Sequence, residues 1–352
     1  MRLQYEFDGS AGTVDVTDTS EGNARKPVVV LLHGNGGDEN HMVNPAVSPG
    51  QNYDHTAPLP PDRNIGWREY PGVGVWSFEL DSFKGVTGWG PFLNSHGYRT
   101  VAYSQVDPTG LLDRPVRELR LVMQVLAKHF PDPSTQFVII AHSRGGLLIR
   151  KFVKDFPADA NRIGKIITLH SPHLGSNLAG VANVLNQAIA DLENTFGSVI
   201  TAALGWLKAM VGSPSYQELA SGSGFLTTLA ANESALPGVE YYSFGGSQVT
   251  LTRLRSWVYT AGSAIPQWHW PPFHHRITVT EIPVVSPVLD SLPNLEAEIT
   301  GGEGDMLVAD RRAHMSFSVR RTNSLNHAEA LWDPGLQLQV LRILDGELGI
   351  WG

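Results

Sequence analysis

Several short segments of this chain hold side chains whose types and spacing suit nucleophilic chemistry. Ala141-His142-Ser143-Arg144-Gly145-Gly146 follows an apolar run, Phe137 to Ala141, and leads directly into the helix pattern Leu147 to Phe156. A serine on such a strand-to-helix turn sits in strained backbone with its hydroxyl raised above the sheet, and the residues two before and two after it must be small. Ala141 and Gly145 meet that demand. The helix that follows turns its positive end toward any negative charge developing at Ser143. A nucleophilic serine also needs oxyanion donors, a base and an acid. His33-Gly34-Asn35-Gly36-Gly37 closes the apolar run Val28 to Leu32. The backbone N–H groups of Asn35 and Arg144 are the expected donor pair for a tetrahedral oxyanion. Far downstream, Gly301-Gly302-Glu303-Gly304-Asp305-Met306-Leu307-Val308 offers Asp305 as the acid, with Asp310 and Glu303 as rivals, and Asn326-His327 offers the base at the mouth of a terminal helix.

The elements that must position these residues read as α/β. Val28 to Leu32 is continuously apolar, the pattern of a strand buried on both faces. Tyr98 to Tyr103, Phe137 to Ala141, Ile166 to Leu169 and Val239 to Phe244 are further strands. Val116 to Phe130 places Leu119, Val122, Met123, Val125 and Leu126 at helical spacing before Pro131. Alternating units of this kind predict a mostly parallel sheet with helices on both faces and ligands bound beyond the carboxyl ends of the strands. Ahead of it, Leu3, Tyr5, Phe7, Val14 and Val16 alternate about a turn at Asp8 to Gly12 and predict an antiparallel hairpin.

The expected organisation is a single domain over 1–352 with three excursions from the βα rhythm. Residues 38–88 are rich in Pro, Gly, Asn and Trp and read as turns rather than regular elements. Residues 174–236 read as a cap, opening with an amphipathic segment, 174–212, that sets Leu178, Val181, Leu185, Ile189, Leu192 and Phe196 at spacings of three and four. Residues 248–303 carry Trp257, Trp268, Trp270, His269, His274 and His275. Those three histidines lack the spacing of a zinc site, so no metal is expected. His142 reads as the variable position of the serine turn, and His314 as one polar residue among others.

Composition removes other classes. Lys plus Arg number 26 against 34 Asp plus Glu, a net charge of −8, which disfavours nucleic acid as a partner. With no cysteine there is no thiolate nucleophile, disulfide or Cys-ligated metal. His33 to Gly37 is not the Gly-x-Gly-x-x-Gly turn of a flavin or nicotinamide site, and no cofactor is expected. Met1 to Phe7 lacks the apolar stretch of a signal peptide, which leaves a cytoplasmic protein or a processed secreted form.

Taken together, Leu31 to Gly37, Ala141 to Gly146, Thr168-Leu169-His170-Ser171-Pro172-His173-Leu174-Gly175-Ser176, Gly304 to Val308 and Asn326-His327 resemble the bacterial lipases and carboxylesterases of the α/β-hydrolase superfamily, in the subset with Ala rather than Gly opening the serine turn. The resemblance implies an α/β-hydrolase fold with an inserted helical cap or lid that opens after Thr168 to Ser176. It also implies hydrolysis of a small-molecule or lipid ester through an acyl-serine, with transient contact to a lipid surface. Ser143, Asp305 and His327 match the family's triad in its chain order, and Asn35 and Arg144 match its oxyanion donors. Met306 departs from the pattern, standing where the family usually has Gly after its acid. A thioesterase or acyltransferase would use the same triad, and a binding protein could keep the fold without the reaction.

Overall fold

The computed structural model describes residues 1–17, 26–45, 68–70, 74–80, 87–180, 213–248, 252–260, 276–283, 298 and 302–347. Chain reversal begins at once. In the hairpin of β1 (Arg2–Phe7) and β2 (Ser10–Thr17), Asp8 and Gly9 take positive φ, 49° and 76°, as a two-residue hairpin turn demands. The turn is tighter than the sequence spacing predicts, because Phe7 pairs directly with Ser10.

The principal sheet has eight strands in the order β1-β2-β6-β3-β7-β8-β9-β12. Its added members are β3 (Val28–Leu32), β6 (Arg99–Tyr103), β7 (Phe137–His142), β8 (Ile163–Leu169), β9 (Glu240–Gly246) and β12 (Val319–Asn323), with β4, β5, β10 and β11 placed below. From β6 to β12 every pairing is parallel, and the hairpin is antiparallel at one edge. Parallel pairing needs crossovers that cover both faces, and the core shows it. Val28, Val30 and Leu32 of β3 belong to one apolar cluster, while Val29 and Leu31 belong to another. The first cluster lies under α3 (Asp113–His129) and α4 (Arg144–Asp155), through Val116, Leu119, Val122, Leu148 and Phe152. The second holds α2 (Trp89–Ser95) and α8 (Pro334–Leu344), through Trp89, Leu93, Leu336 and Val340. Shorter helices are α1 (Asn40–Val43), α5 (Asn177–Gly180), α6 (Pro214–Glu218) and α7 (Gly224–Ala230).

The two long excursions are not purely turns. β4 (Arg68–Tyr70) and β5 (Gly74–Leu80) fall in 38–88, and β10 (Thr252–Thr260) and β11 (Arg276–Pro283) in 248–303. They form a second, antiparallel sheet in the order β11-β10-β5-β4, in which Trp257 is paired in register with Val75 and with Val279. This corrects the reading of 38–88 as a stretch without regular elements. The alternation Val75, Ser77, Glu79 against Trp76, Phe78, Leu80 is present in the sequence. It becomes a stable strand only by pairing with a segment far along the chain. Of the expected amphipathic segment 174–212, residues 181–212 lie outside the described residues, as do His269, His274 and His275. Among the described residues no helix is long and apolar enough to cross a membrane.

Candidate active site

The site lies at the carboxyl ends of β3, β7, β8 and β9, where an open parallel sheet presents its loops. Ser143 caps β7 with φ 53° and ψ −126°, a conformation disfavoured for a residue with a side chain. Two contacts hold the turn, from the Ser143 N–H to the Leu169 carbonyl (2.9 Å) and from the Gly146 N–H to the Ser143 carbonyl (3.0 Å). Gly145 is required by close approach, since a Cβ there would stand 2.7 Å from the His33 carbonyl oxygen and 2.8 Å from that of Leu32. The serine turn therefore rests directly on the end of β3.

That neighbour carries the expected oxyanion donor. A Cβ on Gly34 would come 3.0 Å from Ser143 Cβ, so Asn35 begins one residue from contact with the serine. His33 fixes the turn from below, its Nδ1–H donating to the Gly34 carbonyl (2.8 Å) and its Nε2 accepting from the Gln105 N–H (3.2 Å). The Gly36 N–H donates to the Pro108 carbonyl at 3.0 Å. The Asn35 side chain is held from α6, accepting from Ser215 Oγ (2.6 Å) and donating to Ser213 Oγ (3.2 Å). Arg144 is only 1% exposed, and its guanidinium donates to the carbonyls of Pro108 (2.9 Å) and Gly110. One residue thus supplies a backbone N–H beside Ser143 and a side chain that pins the loop on which the Gly-rich turn leans.

On the other side, Ser143 Oγ donates to His327 Nε2 at 2.9 Å, and His327 Nδ1–H donates to Asp305 Oδ2 at 2.8 Å. Asp305 Oδ1 accepts the N–H groups of Leu307 (2.9 Å) and Val308 (2.7 Å). Burial alone would raise this carboxyl, but the attraction of His327 and the adjacent His170 outweighs it and holds Asp305 well below the usual carboxylate range. Of the rivals, Glu303 is exposed, and Asp310 takes the Thr322 hydroxyl (2.9 Å) and His314 Nε2 (3.2 Å) instead. Met306 follows Asp305 with φ 88°, in the left-handed region where glycine is the easy residue. His327 is fixed by a capping box: the Asn326 side chain accepts the N–H groups of Ala328 (3.0 Å) and Glu329 (2.9 Å), and Glu329 accepts the Asn326 N–H (2.8 Å). It precedes a short 3-10 turn, Glu329–Leu331, rather than the terminal helix itself.

Three further histidines crowd this side: His41 and His170, to which the sequence assigns no role, and His142, which it reads as the variable position of the serine turn. His142 is buried, its Nε2–H donating to the His327 carbonyl (2.9 Å) and its Nδ1 accepting from His41 Nε2–H (3.2 Å). It is no free variable position, and His314 is likewise buried against the Ser243 carbonyl. His170 stands with Nδ1 2.9 Å from Asp305 Oδ2. His170, Asp305 and His327 thus bring three metal-capable groups together. Their spacing is that of hydrogen bonds: 2.8 and 2.9 Å separate each ring nitrogen from the shared oxygen. Two ligands of one tetrahedral zinc, each about 2.1 Å from the ion, would lie roughly 3.4 Å apart.

No protein-family profile matches the chain, and no curated protein matches it in sequence. Solved structures do. The mature lipase BlEst2 of Bacillus licheniformis overlaps 94% of this chain and 97% of its own at TM-score 0.54 and 14% identity. Its propeptide form overlaps 94% of this chain at the same TM-score and identity, and this chain spans about half, 53%, of that longer one. A metagenomic carboxyl esterase overlaps 93% of this chain and 78% of its own at TM-score 0.49 and 13% identity. At 14% identity the likeness to the lipase is one of architecture. Six consecutive parallel strands, helices on both faces and a strained serine turn at the end of β7 agree with it. The chain has the α/β-hydrolase fold.

Proposed function

We propose that this protein is a serine hydrolase that cleaves carboxylic esters through an acyl-serine intermediate. The observation that carries the reading is the unbroken line from Ser143 Oγ to His327 Nε2 (2.9 Å) and from His327 Nδ1 to Asp305 Oδ2 (2.8 Å), starting on a strained turn. In this reading His327 removes the Ser143 proton as Oγ attacks the ester carbonyl. Asp305 keeps the proton of the neutral ring on Nδ1 and stabilises the imidazolium that forms. The N–H groups of Asn35 and Arg144 hold the oxyanion. His327 returns its proton to the leaving alcohol, then activates the water that releases the acid. The substrate is a small-molecule or lipid ester. A rise in rate as a triglyceride passes its solubility limit would mark a lipase, and smooth saturation a carboxylesterase.

The test is turnover of p-nitrophenyl esters, from acetate to palmitate, with labelling by a fluorophosphonate probe. Ser143→Ala is expected to lose labelling and essentially all turnover while melting near the wild type. Turnover by the variant close to the wild-type level would overturn the assignment.

A further inference from the structure

The acid of the proposed triad has two imidazoles on one oxygen. His170, immediately after β8, is fully buried and takes φ 52°, a left-handed conformation costly for a residue with a side chain. The Phe244 carbonyl holds that backbone by accepting the His170 N–H at 2.7 Å. The result is to aim the ring at the acid, with Nδ1 2.9 Å from Asp305 Oδ2. A second feature makes room for it. A Cβ on Gly246, at the end of β9, would stand 2.4 Å from His170 Cε1 and 2.7 Å from Asp305 Cβ, so a glycine forms the floor under both. The contact is bent: neither His170 ring nitrogen has a well-aligned hydrogen-bond partner among the described residues. Each of the other buried links of the site is aligned, including the two N–H groups on Asp305 Oδ1.

Resting on the hydrolase reading above, we propose that His170 is a positioning residue. Its Nδ1–H is a second imidazole donor to Asp305 Oδ2, and the carboxylate's hold on His327 is set by how the two rings share that oxygen. Nδ1 faces the acid, while among the described residues Nε2 faces no acceptor, so the neutral ring carries its proton on Nδ1, leaving a lone pair unmatched rather than a buried N–H. As the serine proton moves to His327, the negative charge on Oδ2 is what stabilises the imidazolium. A second donor there spreads that charge and makes the base less ready to stay protonated. The sign is the same for a neutral or a cationic His170: removing the ring strengthens the imidazolium and moves the acidic limb of the rate profile to higher pH.

Among the described residues the ionisable groups about His327 are Asp305, His170, His142 at the end of β7, and His41 on α1, with His33 behind His41. Burial lowers His41 to about 3 and His142 well below its ordinary value, and burial lowers His33 to about 4. Burial thus biases all three toward the neutral form, so a shift of the limb on replacing His170 is read as a change in its contact with Asp305.

The experiment compares kcat/KM for a p-nitrophenyl ester from pH 5 to 9 in wild type, His170→Gly and His170→Asn. Both replacements tolerate the left-handed backbone. The asparagine amide hangs from Cγ, as Nδ1 does, so it keeps a donor where glycine removes it. His170→Gly is expected to lower kcat roughly tenfold with KM unchanged and to raise the acidic limb by about half a pH unit. His170→Asn is expected to restore most of both. A glycine variant with an unmoved limb, or an asparagine variant no better than glycine, would overturn the proposal. If neither variant folds, the 15N shifts of wild-type His170 decide it, a proton on Nδ1 supporting it and one on Nε2 overturning it. Failure of the hydrolase reading is distinguishable, because the wild type itself would then show neither turnover nor fluorophosphonate labelling.

Discussion

The two flanks of Ser143 are fastened in different ways. On the side of Asn35, the loop 105–112 and the Gly-rich turn are tied by many links of modest strength. Gln105 N–H bonds to His33, Val106 N–H to Glu118, Gly36 N–H to Pro108, Ser215 N–H to Thr109 and Leu112 N–H to Glu218, with the Arg144 guanidinium across the loop. On the side of His327 the essential links are few and depend on one buried charge, that of Asp305. In the proposed reaction the first flank has to present fixed dipoles to a charge that appears only as the ester is attacked, and redundancy in the backbone serves that. In the same proposal the second has to change its proton count, and a carboxylate facing imidazoles serves that. Damage to the first should therefore appear mainly as lost stability, and damage to the second mainly as lost rate.

The largest effect is expected at Asp305. Asp305→Asn keeps the size and one acceptor but removes the charge and reverses the preference for which His327 nitrogen carries the proton. The expected loss is about 10⁴-fold in kcat, by analogy with the same change in a serine protease triad. Melting should move far less than that factor suggests, since the Leu307 and Val308 N–H groups can still bond to the amide oxygen. A loss below tenfold would dissolve the contrast between the flanks and reopen the identity of the acid.

Arg144→Met tests the other flank at its strongest point. The substitution keeps apolar bulk but abandons the Pro108 and Gly110 carbonyls in a site 1% exposed. Unmatched buried acceptors cost about 1–3 kcal/mol each, so the melting temperature should fall by several degrees. Burial already lowers the Arg144 guanidinium to about 10, against the attraction of Glu218 and Asp107. That cost is relieved by methionine and limits the net loss. The backbone N–H of residue 144 survives, so kcat is expected to drop only about tenfold, through movement of the Gly36–Pro108 contact. A rate loss as deep as that of Asp305→Asn would show that this flank is not redundant.

How far sequence reaches follows the same division between local and distant causes. The parallel strands β3, β6, β7, β8 and β9 are legible because burial on both faces leaves mostly apolar runs, unbroken from Val28 to Leu32 and from Phe137 to Ala141. The edge strand β12, Val319-Arg320-Arg321-Thr322-Asn323, was not, since its side chains are only partly buried and read as polar. β5 and β10 pair residues as far apart as Trp76 and Ser256, which no local pattern announces. Within the site, Ser143, Asp305 and His327 stand out because of their neighbours: small residues around the serine, glycines before the carboxylate, and a place ahead of a helix pattern for the histidine. His170 has no such signature. Its place depends on a positive φ and on a glycine at position 246 that belongs to another strand. Met306 lies between these cases. Its departure from glycine was visible in sequence, while its φ of 88° shows that the backbone kept the conformation glycine would have eased.

The smallest expected effect sharpens the comparison most. Asn35→Ala leaves the proposed oxyanion donor, a backbone N–H, in place and removes only the side chain that bonds Ser215 (2.6 Å) and Ser213 (3.2 Å). Those hydroxyls also face each other at 3.0 Å, so part of the loss is recovered between them. The net cost should be about 1 kcal/mol in stability. Rate should change only a few-fold, and it should fall in kcat rather than rise in KM, because a displaced oxyanion donor weakens the transition state alone. A purely KM effect would mean that the Asn35 side chain meets the substrate itself. A 10²-fold loss in kcat would mean that one side-chain tether, rather than the combined loop contacts, holds the donor in position.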